Sequence, residues 1–157
     1  ASPSKRDILE MQAIRSAWDL GIPVLGICRG AQLACVMRGG KLYQDVPFHE
    51  GQTHSLHIID SPEKSYLTNS FHHQMMIPDS SARILATAGQ SMYRAKRWRN
   101  DSYKEELIVE PEVVYWKDYL TLGVQGHPEW DYGKNGIYQY TCELLSQLFN
   151  INGYQHA

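Results

Sequence analysis

The sequence predicts an α/β fold, in which helices alternate with the strands of a sheet. Apolar residues recur at helical spacing over residues 7–20, and Gly21 ends that pattern. Residues 22–27 then form a short apolar run, typical of a central parallel strand that is buried on both faces. A tight turn and a second helical stretch, residues 31–37, follow. The order helix, strand, turn, helix favours a sheet covered by helices.

The rest of the chain continues this alternation. Residues 93–106 are charged and lack periodicity, so they are predicted to form a surface loop. A final helix is predicted over residues 136–149. Apolar runs predict strands at residues 56–59, 83–86, 107–109, 113–116 and 122–125.

Composition limits the class of protein. With 157 residues, 43% of them hydrophobic, the chain fits a single domain over residues 1–157. Its 15 basic and 17 acidic side chains argue against nucleic acid or an anionic membrane surface as a partner. No apolar stretch approaches the roughly 20 residues that a membrane span needs. The three cysteines lack the paired spacings of a disulfide framework, so a soluble, cytoplasmic protein is expected.

The turn around Cys28 is the first candidate for chemistry. Gly26-Ile27-Cys28-Arg29-Gly30 has the G-x-nucleophile-x-G layout between a strand and a helix. The helix N-terminus is expected to lower the pKa of the thiol, and the Arg29 backbone N–H is expected to stabilise an oxyanion. The alternative is that Cys28 is a small, buried and inert residue. Cys35 and Cys142 are expected to belong to the core.

His127 and Glu129 are the candidate base and its orienter. His127 follows a strand that ends in glycine, which places its ring at the carboxyl edge of the sheet, where open α/β sheets bind ligands. Glu129, two residues on, is close enough to bond the distal ring nitrogen. The alternative is simple turn chemistry, with Pro128 and an exposed acid.

A group of histidines raises the question of a metal. His49, His54 and His57, with Glu50 alongside, are separated by gaps of five and three residues on a segment that enters a strand. Zinc ligands on one element usually show tighter spacing and a remote third ligand. No metal site is therefore predicted.

Several blocks together resemble a known family. Residues 26–32 and 123–129 resemble class I glutamine amidotransferases, closest to the γ-glutamyl-γ-aminobutyrate hydrolase (peptidase C26-like) branch. Arg6-Asp7, Glu10, Gly39-Gly40 and the segment Asn69-Ser70-Phe71-His72-His73-Gln74 extend the resemblance. The blocks cover residues 6–129 in the family's order.

The resemblance implies a fold and an activity. It implies three layers, with a mostly parallel sheet and helices on both faces. It also implies that Cys28 forms a thioester with a glutamyl substrate and that His127 and Glu129 complete a triad, without a cofactor. Residues 69–74 are expected to form a loop beside the site. The residues expected to bind the substrate are Gln32, Ser70 and His73.

Two departures leave alternatives open. Gly126 stands where many relatives have a bulky aromatic residue, which is expected to widen the pocket. The family's first strands and the loop that supplies a second oxyanion donor have no match, so the chain is expected to lack its N-terminal part. It is then a fragment, is completed by another segment or subunit, or is impaired. Besides a γ-glutamyl hydrolase, it could be the glutaminase of an ammonia-transferring synthetase, or a non-catalytic binding or regulatory domain.

Overall fold

The computed structural model describes residues 3–46, 49–88, 94–99, 102–107, 109–131 and 136–151. Three α-helices, α1 (Lys5–Asp19), α2 (Arg29–Met37) and α3 (Ile137–Phe149), accompany two short 3₁₀ turns, Lys117–Tyr119 and Pro128–Trp130. The strands are β1 (Val24–Ile27), β2 (Lys41–Tyr43), β3 (Glu50–Ile58), β4 (Ser65–Phe71), β5 (Met75–Ile77), β6 (Arg83–Ala88), β7 (Arg94–Arg99), β8 (Ser102–Leu107), β9 (Pro111–Trp116) and β10 (Thr121–Val124).

A six-stranded sheet with the order β1-β10-β9-β6-β3-β4 forms the centre of the described chain. Alternate residues of β9 face opposite sides of it. Val113 and Tyr115 belong to the core that α3 covers, whereas Val114 and Trp116 pack with α2. The α/β class and the helices on both faces are therefore confirmed.

The strand directions correct the expectation of a mostly parallel sheet. Within the described residues, β1 and β10 pair in parallel, while every other pair in this sheet is antiparallel. The helical crossover α2 follows β1, as a parallel connection requires, whereas short links such as the turn Lys117–Tyr119 join neighbours that run in opposite directions.

The expectation that residues 22–27 form a central strand is also wrong for the described chain. β1 lies at one edge of the sheet, with β10 as its neighbour, and Leu25 remains 37% exposed. An apolar run alone cannot separate an edge strand from a central one, because both need apolar residues on the face that packs against helices.

Two segments predicted as loops contain strands. Most of residues 93–106 form the antiparallel pair β7–β8, with Lys96 opposite Glu105 and Trp98 opposite Tyr103; Tyr93 lies outside the described residues. The backbone pairing of a two-stranded ribbon does not require the apolar alternation of a half-buried sheet, so the sequence pattern gave no sign of it. The segment 69–74 begins in β4, which ends at Phe71. Leu107, predicted to begin a strand, instead ends β8.

Candidate active site

Cys28 lies at a strained turn between β1 and α2. Its backbone has φ 48° and ψ −108°, in a region that residues other than glycine rarely occupy. A Cβ atom on Gly26 would lie 2.8 Å from the backbone nitrogen of Ala31, so this position requires glycine. The predicted nucleophile elbow is therefore present in its geometry.

The parallel pairing of β1 and β10 brings Cys28 and His127 to the same edge of the sheet. Ile27 is in register with Val124, and the Cys28 N–H donates to the Val124 carbonyl over 2.7 Å. Cys28 and His127 line one open cleft of about 390 Å³, together with Glu129. The sulfur and the imidazole thus share a space that a small molecule can enter.

The orientation of His127 is set by its neighbours. Its Nδ1 lies 2.7 Å from Glu129 Oε1. Because a carboxylate accepts, Nδ1 carries the hydrogen, and Nε2 is left with a lone pair for proton transfer. The ring also stacks on Trp130, with centroids 3.8 Å apart and planes within 5° of each other. The predicted partnership of His127 and Glu129 is thus present in the geometry.

Asn69 holds the backbone of His127 from across the sheet. Its side-chain nitrogen donates to the His127 carbonyl over 2.9 Å, and its oxygen accepts from the His127 N–H over 2.7 Å. The sequence predicts that Asn69 lies beside the site, but no sequence pattern indicates its role. These two hydrogen bonds join residues that lie 58 positions apart, so no local sequence pattern predicts them.

The environment of the sulfur corrects the predicted acidity of Cys28. Burial raises the pKa of its thiol, and the charges of Glu129 and Glu112 raise the pKa further. A bond from the Arg29 backbone N–H and one from Gln125, whose nitrogen lies 3.9 Å from the sulfur, oppose that shift without cancelling it. The thiol is therefore protonated at neutral pH, and its reaction requires a base.

The side chain of Arg29 ties the elbow to α1. Its guanidinium forms ion pairs with the carboxylates of Asp7 and Glu10. Bonds from the Ser4 side chain and backbone, with a smaller effect of Arg29, lower the pKa of Asp7. The side chain of Arg29 is therefore engaged with α1, while its backbone N–H faces the sulfur.

A second cavity, of about 280 Å³, adjoins Cys28 and contains two of the predicted substrate-binding residues. Gln32 and His73 both line it. The Gln32 side chain donates to the Gln74 carbonyl over 2.9 Å, which fixes one wall of the cavity. The His73 side chain is 65% exposed, and its Nδ1 lies 3.9 Å from Glu50 Oε1.

Ser70 and Gly126 depart from their expected roles. Ser70 is fully buried and does not line either of these two cavities; its hydroxyl donates to the His49 carbonyl over 2.8 Å, because its alternate position in β4 points inward. Gly126 does not widen the pocket. A Cβ atom there would lie 2.2 Å from Thr68 Oγ1, so the neighbouring strand already fills the space.

The histidines near β3 divide differently from the grouping considered in the sequence. His57 is exposed, as is Glu50, whereas His49, His54 and the remote His72 surround Glu112. Burial and the nearby His49 lower the pKa of His72 to about 3. Burial lowers the pKa of His54, but Glu112 raises it more, so the net shift is upward. The sequence spacing of the histidines near β3 therefore does not predict this cluster, because Glu112 and His72 come from other parts of the chain.

The other two cysteines differ from Cys28. Cys35 is fully buried, and burial raises the pKa of its thiol to about 12. Cys142 lies on α3 and is partly exposed. The prediction that Cys35 belongs to the core is confirmed, and Cys28 is the cysteine that lines both cavities.

Comparison with known proteins identifies the family. The family model of Peptidase C26 matches residues 2–129. The glutamine amidotransferase-like protein YvdE of Lactococcus lactis is 30% identical over 142 residues, which cover 79% of this chain and 53% of that protein. The γ-glutamyl-γ-aminobutyrate hydrolase PuuD of Escherichia coli is 28% identical over 151 residues, which cover 80% of this chain and 53% of the hydrolase.

Solved structures show the same fold. A glutamine amidotransferase from Thermotoga maritima superposes with a TM-score of 0.58 at 18% identity, covering 88% of this chain and 55% of that one. A glutamine amidotransferase from Methylobacillus flagellatus gives a TM-score of 0.54 at 20% identity, over 74% of this chain and 42% of that one. This chain thus spans about half the length of these relatives. No helix in its described part has both the length and the apolar character of a membrane span.

Proposed function

Because the chain belongs to the Peptidase C26 family, we propose that it hydrolyses the side-chain amide of glutamine or of a γ-glutamyl amine through a thioester on Cys28. The observation that carries this proposal is the cleft that Cys28 and His127 share at the tips of two parallel strands. A nucleophile and a base in one cleft, with the base oriented by a third group, is the arrangement that acyl transfer needs.

The first half of the proposed reaction forms the thioester. His127 Nε2 takes the thiol proton, which the raised pKa of Cys28 makes necessary, and the sulfur attacks the γ-carbonyl carbon. The Arg29 N–H, which already bonds the sulfur, is the proposed donor to the oxyanion of the tetrahedral intermediate. The C–N bond then breaks as the imidazolium gives its proton to the departing nitrogen.

The second half releases glutamate. A water molecule loses a proton to His127 and attacks the thioester carbonyl, after which the C–S bond breaks and the sulfur regains its proton from the imidazolium. Glu129 stabilises the imidazolium in both halves, because its carboxylate lies 2.7 Å from Nδ1. The protons and bonds balance without a cofactor.

The cavity beside Cys28 is the proposed site for the glutamyl group. Gln32 offers a buried amide, and His73 a more exposed imidazole that is able to approach a carboxylate. The name of the Escherichia coli relative supports a γ-glutamyl amine as the substrate class. A second oxyanion donor is expected of this chemistry and stays a prediction.

Turnover of two substrates tests the proposal. The chain is incubated with γ-glutamyl-γ-aminobutyrate or with glutamine, and glutamate formation is followed by NMR. We expect glutamate from the wild type, none above background from Cys28→Ala, and an unchanged rate from the control Cys142→Ser. Equal rates in wild type and Cys28→Ala would refute the mechanism. Substrate binding without turnover would favour the non-catalytic domain, and turnover of glutamine only with an added partner would favour a synthetase subunit.

A further inference from the structure

We propose that His49, His54 and Glu112 form a binding site for one divalent metal ion of the zinc type, with His72 adjacent to the three ligands. These side chains come from different parts of the sheet: His54 from β3, Glu112 from β9, and His49 and His72 from the ends of the strand pair β3–β4. One ligand atom of each of His49, His54 and Glu112 lies within 4.8 Å of the others. The cluster contains neither Cys28 nor His127, but it adjoins the cavity beside Cys28 through His72, which lines that cavity.

The spacing around one carboxylate oxygen fits a bound ion. Glu112 Oε1 lies 3.3 Å from His54 Nε2, 3.6 Å from His49 Nδ1 and 3.9 Å from His72 Nε2. These distances are longer than good hydrogen bonds. Zinc binds nitrogen and oxygen at about 2.0–2.2 Å with tetrahedral geometry, which spaces neighbouring ligand atoms about 3.3–3.6 Å apart. An ion between these atoms requires small adjustments only.

The placement of hydrogens leaves lone pairs facing one another. His72 Nδ1 lies 2.8 Å from the Gln74 carbonyl, and His54 Nδ1 lies 3.4 Å from the Ser55 carbonyl. A carbonyl oxygen only accepts, so Nδ1 of His72 is the donor and its Nε2 presents a lone pair to Glu112. The 3.4 Å contact of His54 is too long to fix which of its ring nitrogens carries the hydrogen. The buried atoms without a hydrogen-bond partner include both Nε2 atoms and both carboxylate oxygens of Glu112. Lone pairs of ring nitrogens and carboxylate oxygens repel one another unless a cation, either a metal ion or a proton, lies between them.

Burial makes this arrangement costly without a cation. Glu112 is 1% exposed, and His49 and His72 are 3% and 4% exposed. An unpaired buried carboxylate is strongly unfavourable, and folded proteins generally pair such a group or use it to bind a metal. The His54 side chain, at 22% exposure, provides a route from solvent. The cluster therefore combines a buried negative charge with access for an ion.

His49 has a second partner that suits metal binding. Its Nδ1 lies 2.9 Å from Ser70 Oγ, and because the Ser70 hydroxyl donates to the His49 carbonyl, Nδ1 donates to Ser70 when no metal is bound. Metal binding at Nδ1 would replace that bond. When Nδ1 binds a metal, the ring proton resides on Nε2, which lies 3.4 Å from Glu110 Oε2. A carboxylate that receives the second N–H of a metal-bound histidine is a common feature of zinc sites.

The ligand set selects the class of metal. Imidazole nitrogens with one carboxylate suit zinc, cobalt, nickel or copper, whereas calcium and magnesium prefer oxygen ligands. Binding would connect β3, β4 and β9, and would fix His72, whose ring bonds Gln74 in the wall of the 280 Å³ cavity. The competing arrangement is a proton shared between His54 and Glu112 with no metal.

The experiment uses Co²⁺ and Zn²⁺ with a Cys28→Ala host, so that the thiol in the cleft cannot bind the metal. After treatment with a chelator and its removal, the protein is titrated with Co²⁺, and the visible bands of tetrahedral Co²⁺ are recorded. We expect one ion per chain, displacement of Co²⁺ by Zn²⁺, and a higher melting temperature with Zn²⁺. His54→Ala and Glu112→Gln should each weaken binding about a hundredfold or more.

His57→Ala is the matched control, because His57 lies on β3 but is exposed and outside the cluster. It should bind Co²⁺ like the host. Glu112→Gln removes an unpaired buried charge, so circular dichroism should show a folded protein even without metal. No cobalt spectrum and no zinc-dependent melting shift in the host would overturn the proposal. Equal binding by the host and by folded Glu112→Gln would also overturn it.

Discussion

The side-chain amide of Asn69 bonds both the N–H and the carbonyl of His127, over 2.7 and 2.9 Å. Asn69 belongs to β4, which lies at the opposite edge of the six-stranded sheet from β1, the strand that leads into Cys28. The proposed base is therefore positioned from both sides of the sheet: β10 supplies the chain that leads to it, and β4 fixes its backbone.

Asn69→Ala should reduce kcat more than it changes KM. Loss of both amide bonds lets the backbone of His127 move, and a displacement of about 1 Å at a reacting group costs roughly a hundredfold in rate. Leu67→Ala is the control, because Leu67 lies on the same strand with its side chain 51% exposed. Steady-state kinetics with a γ-glutamyl amine give kcat and KM for both variants. An unchanged kcat in Asn69→Ala would show that Asn69 does not position His127.

Alkylation of Cys28 should depend on pH in the direction set by its raised pKa. Only the thiolate reacts, so labelling by iodoacetamide should be slow at pH 7 and should still increase above pH 9, where an ordinary thiol approaches saturation. Cys35 should stay unlabelled, because it is fully buried and its pKa is about 12. Peptide mass mapping distinguishes the three cysteines. A labelling rate for Cys28 that levels off below pH 8 would contradict the raised pKa.

Glu129→Gln should change labelling and hydrolysis in opposite directions. The Glu129 charge contributes to the raised pKa of Cys28, so its removal lowers that pKa and should accelerate labelling at pH 8 by about two- to threefold. Hydrolysis should slow by roughly a hundredfold or more, because an amide does not stabilise the imidazolium of His127 as a carboxylate does. The labelling rate and the hydrolysis rate are measured on the same preparation of each protein. A decrease in both rates would indicate that the substitution disrupts the cleft.

Gly126→Ala should destabilise the fold through a steric clash with β4. The added Cβ would meet Thr68 Oγ1 at 2.2 Å and the Asn69 carbonyl at 3.0 Å, an overpacking that typically costs about 1–3 kcal/mol. Thr68→Ala in the same chain should recover part of the loss. Gly30→Ala is the control, since a Cβ there meets no atom within 4 Å. The free energy of unfolding is measured by denaturant titration for the wild type, the two single glycine variants and the double variant. Equal stability of Gly126→Ala and Gly30→Ala would show that β4 moves away from residue 126 without loss of stability.

The parts of the fold that were predictable have short-range signals. The glycines around Cys28, the helical periodicity of α1 and the glycine before His127 each depend on the local chain, and the structure contains the corresponding elements. The direction of the strands was not predictable in this way. The apolar residues of β9 and β10 fit parallel or antiparallel pairing equally well, because both bury the same faces.

The parts of the site that were missed depend on contacts between distant segments. Glu112 lies near His54 only because the sheet places β9 and β3 on either side of β6. The spacing of His49, His54 and His57 along the chain therefore gave no indication of Glu112. The pKa of Cys28 was predicted in the wrong direction for a similar reason. The helix N-terminus is a local feature, whereas burial and the charge of Glu112 are tertiary ones.

Trapping of the nucleophile measures whether the imidazole of His127 activates the sulfur of Cys28. A diazoketone analogue of glutamine is incubated with the wild type, Cys28→Ala and His127→Asn, and intact mass is recorded over time. We expect one adduct on Cys28 in the wild type, none in Cys28→Ala, and formation at least about a hundredfold slower in His127→Asn. An adduct that forms as fast in His127→Asn as in the wild type, or one carried by Cys142, would show that His127 does not activate Cys28.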